Sequence, residues 1–334
     1  IQLIEEGPEK IDLLLIAPAT ANTLSKIASG ISDTPVTILV SSALGSGIPV
    51  VVAPSMHSSL WSNSIVKANL ARLRKIKVDI LAPQISEGKA KITSTEVIVD
   101  AVIRSLTPHD LSGIRVFVTA GPTHENIDPI RVLSNRSSGK MGFALAKEAW
   151  RRGADVTLVS GPTTLSPPDS IDYSTIVTTR ELYDVVKSKL NSKQYDIFLA
   201  AAAVADFRPV NTINEKMSSR ISQPFDMKFE TTEKVIHIVK KIQRDIFLVP
   251  FKIEWNLNHA KMVERAKIIM HETDADLVAV NDASLKSVAF EGNTNQVLLL
   301  KKNGDAIDIP LDSKQRIASR ILDAFIDDVG KDHQ

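Results

Sequence analysis

The sequence predicts an α/β protein made of two doubly wound parallel-sheet domains. Three observations carry this. Continuous apolar runs of strand length, Ile11–Ala17, Ile48–Pro54 and Ile114–Ala120, lack the alternation of a half-buried strand. They read as parallel strands covered on both faces. Small, hydroxyl or Gly-Pro residues follow each run, and helical segments alternate with the strands along the whole chain. Finally, 334 residues hold about two domains of about 150 residues each, and 43% apolar residues supply two cores.

In the first unit, residues 1–106, the turn Pro18–Thr23 opens a helix that runs to about Gly30. Thr20 and Asn22 sit where a phosphate-bearing ligand would lie above a sheet edge, and equally where a threonine would simply cap a helix. Val36–Leu44 fits helix or strand. Ser55-Met56-His57-Ser58-Ser59-Leu60-Trp61 starts a helix to about Lys75. Met56, His57 and Trp61 suit a pocket wall, and His57 equally suits a cap. Lys77–Ala82 is a short strand, Pro83–Lys91 a Gly-containing loop and Thr95–Leu106 a helix. The polar stretch 107–113 reads as a linker.

The second unit, 114–330, repeats the alternation with right-handed crossovers expected. Strands are predicted at 114–120, Asp155–Ser160, Tyr195–Ala203, Ile246–Phe251 and Asp276–Val280. Helices are predicted at 140–152, Glu181–Leu190, 232–243 and His259–His271. Asn303-Gly304 is a two-residue hairpin signal between Val297–Lys302 and Ala306–Pro310. The last helix follows Asp312, with Gln315 completing a capping-box pattern. Residues 208–231 lack periodicity and carry Lys216, Ser218, Ser219 and Arg220, as a mobile flap would.

One stretch organises this unit. Gly121-Pro122-Thr123 leaves the first strand, and Ser134–Gly142 leads into the first helix. A helix N-terminus presents unpaired N–H groups and a positive dipole end, and glycine lets a ligand approach the backbone. The stretch with Gly121, Ser137, Ser138 and Gly139 therefore suits a phosphate and an acyl oxygen, and Asn135 adds a carboxamide that can donate and accept; a Ser-capped helix after a loop fits the same residues. Ala200, Ala201 and Ala202 lead to Asp206 and leave room for a base or ribose, or for tight strand–helix packing.

Composition narrows the classes. A net charge of +1 gives no reason to expect nucleic acid or a membrane surface. With no cysteine, disulfides, thiolate metal sites and a cysteine nucleophile are excluded within this chain. No apolar run reaches the ~18 residues of a membrane span and no signal peptide opens the chain, so a cytoplasmic protein is expected. The chain opens on Ile1 and reads as a segment whose beginning is missing. A dinucleotide-dependent oxidoreductase would need a G-x-G-x-x-G turn after a strand, and none is present.

The motifs VTAGPTHENIDPIRVLSNRSSGKMGFALA, ADVTLVSGPT and AAAAVADFRP closely resemble phosphopantothenate–cysteine ligase. APATANT, GISD and APSMHSSLW resemble the carboxyl-terminal part of flavin-dependent phosphopantothenoylcysteine decarboxylase. The resemblance covers nearly the whole chain, in the order of the fused bifunctional coenzyme A biosynthesis proteins. It implies two Rossmann-like domains, the first an incomplete flavodoxin-like flavoprotein domain. It implies that CTP, or ATP, activates the carboxylate of 4′-phosphopantothenate as an acyl-nucleotidylate that cysteine then displaces, with Mg2+ on the phosphates. FMN-dependent decarboxylation of the product follows. It implies an oligomer of ligase dimers and flavoprotein trimers.

By the same resemblance Asn135 holds the acyl intermediate, Lys216 clamps phosphates, and Ala200, Ala201, Ala202, Asp206 and Phe251 face the nucleotide. Lys267 stands nearest the lysines implied before strand 276–280. The chain departs from the pattern in Met217-Ser218-Ser219, where lysines would follow Lys216. It departs again in His57, which replaces an asparagine, and in a loop with no cysteine, where Glu87 is the candidate proton donor. The histidine base of the decarboxylase would lie before Ile1. The other reading is a non-catalytic, flavoprotein-like regulatory or binding subunit.

Overall fold

The computed structural model describes residues 11–218, 226–284 and 292–329. The chain forms two compact units, Ile1–Pro108 and His109–Gln334.

In the first unit β1 (Leu14–Ala19), β2 (Val50–Pro54) and β4 (Asp79–Ile80) make a parallel sheet of order β1-β2-β4. β2 is buried at every residue, whereas Leu15, Ala17 and Pro18 of β1 are exposed. The double covering expected of both strands therefore holds for β2, between two neighbours, and not for the end strand. Helix α1 (Ala21–Ala28) begins at Thr20, whose Oγ1 accepts from the Thr23 N–H at 3.2 Å. The ambiguous segment is helix α2 (Pro35–Gly45): Thr34 and Thr37 form a reciprocal cap and Pro35 sits in the first turn. The predicted helix 55–75 is interrupted. Strand β3 (Met56–His57) and short α3 (Ser58–Trp61) precede α4 (Ser64–Lys75), because extended Asn63 caps a new helix by accepting from Ile65 N at 2.8 Å. The predicted loop 83–91 is a hairpin of β5 (Gln84–Ser86) and β6 (Lys89–Lys91). Glu87 and Gly88 both take positive φ in its turn, and β6 pairs with β3. Helix α5 (Thr95–Leu106) ends the unit.

The second unit contains β7 (Arg115–Ala120), β8 (His124–Asn126), β9 (Val132–Ser134), β10 (Asp155–Ser160), β11 (Asp172–Thr175), β12 (Ile197–Ala200), β13 (Phe207–Pro209), β14 (Phe229–Thr231), β15 (Phe247–Glu254), β16 (Leu277–Asp282), β17 (Thr294–Lys301) and β18 (Ala306–Ser313). Its main sheet has the order β11-β10-β7-β12-β15-β16-β17-β18, parallel from β11 to β16, with β17 and β18 antiparallel. Numbered within the sheet, the parallel strands run 3-2-1-4-5-6, the doubly wound order. It places a crevice where the winding reverses, at the carboxyl ends of β7 and β12.

Helices α6 (Lys140–Arg151) and α10 (Lys314–Val329) contribute to one apolar core, and α7 (Thr179–Ser192) and α9 (His259–Thr273) to another. Segment 232–243 is only a 3-10 turn, Val235–Ile238, and α8, Val239–Ile242. Four residues, Lys302–Asp305, rather than two link β17 and β18, with Gly304 at φ +93 and donating to Lys301 O at 2.9 Å. Ser313 rather than Asp312 caps α10, accepting from Arg316 N at 3.3 Å, while Gln315 reaches Glu148 of α6. Residues 109–113 pack as part of this unit. Leu111 is buried, and Arg152, itself buried, pairs with Asp110 and Asp323 at 2.6 Å each. The flap 208–231 starts and ends as the antiparallel pair β13–β14; Ser219 and Arg220 lie outside the described residues.

Candidate active site

Three glycines bring backbones together at the crevice. Gly121 and Gly139 take φ +69 and +76, and Gly139 is the N-cap of α6. A Cβ on Gly142 would lie 2.5 Å from the Ala120 Cβ, so α6 rests directly on the end of β7 with its N-terminus at the sheet edge. Ala201 N donates to Thr119 O at 3.1 Å and Ala203 N to Gly121 O at 2.8 Å, which ties the exits of β7 and β12.

Thr123 is the fully buried knot of this edge. Its Oγ1 accepts from Ala205 N at 2.8 Å and bonds Thr179 Oγ1 at 3.0 Å, and its carbonyl accepts from Ser134 Oγ at 2.8 Å. Thr179 N in turn donates to buried Glu125 at 2.8 Å. The adjacent Asn135 gives its Nδ2 to Val204 O at 2.8 Å and Ala203 O at 3.4 Å. A cavity of about 680 Å3 opens there, lined by Asn135, Ala200, Ala202, Asp206 and Phe251 among others. A smaller one of about 90 Å3 is lined by Ser137–Gly142, Ala201, Ala202 and Phe251. Phe251 thus borders both.

Asp206 on the rim pairs with Lys234 at 2.6 Å. Lys216 is exposed and lines neither cavity, but its neighbour is anchored: Met217 N donates to Asp128 at 3.1 Å. Asp128 is buried, which by itself raises its pKa. The N–H groups of Ile130, Arg131 and Met217 and the Arg131 guanidinium outweigh that and hold it at about 2.

The structure therefore gathers Gly121, Asn135, Ser137, Ser138, Gly139, the Ala200–Ala202 run, Asp206 and Phe251 around one sheet edge. It leaves Lys267 exposed on α9, lining neither cavity; Glu272 and Thr273, further along that helix, do line the larger one. Sequence reasoning missed Lys234 and Lys252 in the larger cavity and Asn281, Asn295 and Lys314 in the smaller. Lys252 had one signal, its place directly after Phe251. Lys234 had none, being 28 residues from its partner Asp206.

In the first unit Ser55 N donates to Ala19 O at 3.0 Å, so the exits carrying Thr20 and Asn22 and carrying Met56 and His57 share one edge. His57 Nδ1 bonds Ser59 Oγ at 3.1 Å and caps α3. The turn bearing Glu87 reaches the same edge, Gly88 O accepting from Ser58 N at 3.1 Å, while the Glu87 carboxylate pairs with Lys91 at 2.7 Å.

A coenzyme A biosynthesis bifunctional protein CoaBC of Thermococcus kodakarensis is 43% identical over 324 residues, 97% of this chain and 78% of that protein. This chain belongs to the family of coenzyme A biosynthesis bifunctional proteins. Residues 111–328 match the DNA/pantothenate metabolism flavoprotein C-terminal domain family, and residues 1–107 the flavoprotein family. A crystal structure of the C-terminal domain of a CoaBC protein matches with TM-score 0.55 and 30% identity, covering 66% of this chain and 98% of that one. A cysteine/cysteine sulfinic acid decarboxylase from an unknown prokaryotic organism is also similar, 34% identical over 93% of this chain and 88% of that protein. No helix among the described residues is long and apolar enough to cross a membrane.

Proposed function

We propose that the second unit condenses 4′-phosphopantothenate with cysteine and that the first belongs to the domain that decarboxylates the product to 4′-phosphopantetheine. The observation that carries the reading is the convergence of Asn135, the alanine run, Asp206 and Phe251 on the crevice at the switch point, in a chain of this family.

In this reading the nucleotide base lies by Phe251 and the alanines, with its phosphates toward Ser137–Gly139 and the N-terminus of α6. A carboxylate oxygen of phosphopantothenate attacks the α-phosphorus. The bond to the bridging oxygen breaks, and its electron pair leaves with pyrophosphate. The cysteine amine then attacks the acyl carbon, loses a proton and expels the nucleoside monophosphate. Asn135 holds the acyl oxygen. Turning its amide from Ala203 O, the longer contact at 3.4 Å, frees one N–H while the 2.8 Å bond to Val204 O persists. Lys216 closes on the phosphates from its anchored segment. Mg2+ carried in on the nucleotide phosphates would offset their charge.

In the first unit the exits of β1 and β2 offer Thr20, Asn22 and Met56 to a flavin, and His57 beside them, a fit of small and hydroxyl groups at one sheet edge. FMN bound there would take two electrons from the substrate thiol and return them after CO2 leaves. Glu87 is the acid that supplies the proton. The assembly is homo-oligomeric, in the cytoplasm.

Pyrophosphate release tests the reading, run with CTP and ATP in parallel, with Mg2+, phosphopantothenate and cysteine. Release with either nucleotide, only when phosphopantothenate is present, is expected; CTP is the expected nucleotide. No release from folded protein moves the assignment to a regulatory subunit. Offering the protein free cysteine against phosphopantothenoylcysteine separates it from the amino-acid decarboxylase relative.

A further inference from the structure

Beyond the Ser/Gly turn, a cavity of about 300 Å3 is lined by Lys140, Lys147, Lys314 and Asn293, with Phe143 and Pro167 among its apolar walls. It shares Lys140 and Lys314 with the small cavity at Ser137–Gly142. Among the described residues the lining includes three lysines and no carboxylate. Lys140 starts α6 and Lys314 starts α10, so two helix N-termini meet the same space. Asn293 links them: its Oδ1 accepts from Lys140 Nζ at 2.9 Å, and its carbonyl accepts from Lys314 N at 2.9 Å. Lys314 is only 9% exposed, and its Nζ donates to Gly292 O at 2.6 Å. Burial first, and then the Lys140 charge, push its ammonium below the usual lysine range. Like charges held together with two helix dipoles are unfavourable until a multivalent anion joins them.

We propose that this cavity takes the pyrophosphoryl end of the nucleoside triphosphate and holds pyrophosphate before it leaves. The identity of the anion rests on the ligase reading above; the site itself rests on the lysines. A triphosphate seated on the N-terminus of α6 at Ser137–Gly139 has its outer phosphates directed along the shared wall to Lys140 and Lys314. The leaving group's new charge is then met by fixed cations, which favours bond breaking and makes pyrophosphate a competitor of the nucleotide.

Calorimetric titration of the chain with magnesium pyrophosphate tests this without turnover, alongside pyrophosphate inhibition of the ligase assay. Lys314→Met, of similar size to the buried lysine, is expected to weaken pyrophosphate binding at least tenfold. Lys147→Met, on the outer turn, should weaken it about threefold and covers the case in which Lys314→Met does not fold. Lys187→Met, exposed on α7, serves as the control. In the assay the nucleotide KM should rise in parallel, and the KM of phosphopantothenate should not. Pyrophosphate binding that these lysine variants leave within twofold of wild type overturns the proposal. So does failure of wild type to bind pyrophosphate, or equal binding of sulfate. Binding lost in the variants, in a protein that never releases pyrophosphate from nucleotide, upholds the cavity and sinks the ligase reading instead.

Discussion

The two units use the same device with different completeness. In the second unit, the carboxyl edge of an eight-stranded sheet gathers side chains from β7, β12, β15 and the loops between them around about 680 Å3 of space. In the first, the edge of a three-stranded sheet holds Thr20, Asn22, Met56 and His57, and the end strand β1 keeps one face exposed. A doubly wound site needs strands on both sides of the switch point, because each strand exit supplies one wall. Among the described residues the second unit therefore has strand exits on both sides of its switch point, whereas the first offers the adjoining exits of β1 and β2 alone.

The largest expected effect is on the better-built site. Asn135→Ala should lower ligation roughly 10²-fold, as loss of one oriented donor does in other acyl-transfer sites. Unchanged product formation would remove Asn135 from the chemistry. Gly142→Ala comes next. Its methyl would meet Ala120 at 2.5 Å, so α6 must shift off β7, at a cost of about 1–3 kcal/mol. A Tm within 1 °C of wild type would contradict that contact. Thr123→Val should lower kcat about tenfold with a smaller change in KM, because it frees Ala205 N and loosens Asn135's neighbours; Thr123→Ser should restore the rate. Failure of serine to rescue would make Thr123 merely a packing residue.

A pH titration sharpens the same contrast. Folding holds the Asp128 carboxyl near 2, below its ordinary 3.8. The carboxylate form is thus favoured by the fold. Its contribution is complete above about 3.8 and disappears as pH falls through about 2. The Asp128–Met217 anchor should persist at pH 4, followed by amide exchange at Met217, and Asp128→Asn should expose that amide at neutral pH. Glu87→Gln should lower decarboxylation by about 10²-fold if its carboxyl is the proton donor, and a few-fold loss at most would make the 81%-exposed Glu87 side chain only the solvated partner of Lys91.

The alternation of apolar runs and helices made the doubly wound fold legible, because burial on both faces of β2 and β7 leaves a continuous pattern. The anion turn was legible because it is local: Gly121, Ser137, Ser138 and Gly139 lie within 20 residues of one another. What the sequence hid is long-range. Lys234 and Lys314 reach the site through the sheet order, which no local spacing encodes. Breaks such as Asn63 between α3 and α4 were hidden for another reason: an asparagine inside an apolar period caps a new helix only if tertiary packing turns the chain there.

The most direct measurement is a single-turnover reaction of nucleotide with 4′-phosphopantothenate, without cysteine, followed by mass spectrometry and phosphorus NMR. A stoichiometric burst of pyrophosphate with an acyl-nucleotidylate retained by the protein is the predicted result, and Asn135→Ala should abolish the retention. Pyrophosphate that appears only after cysteine is added, with no acyl-nucleotidylate, would contradict the account.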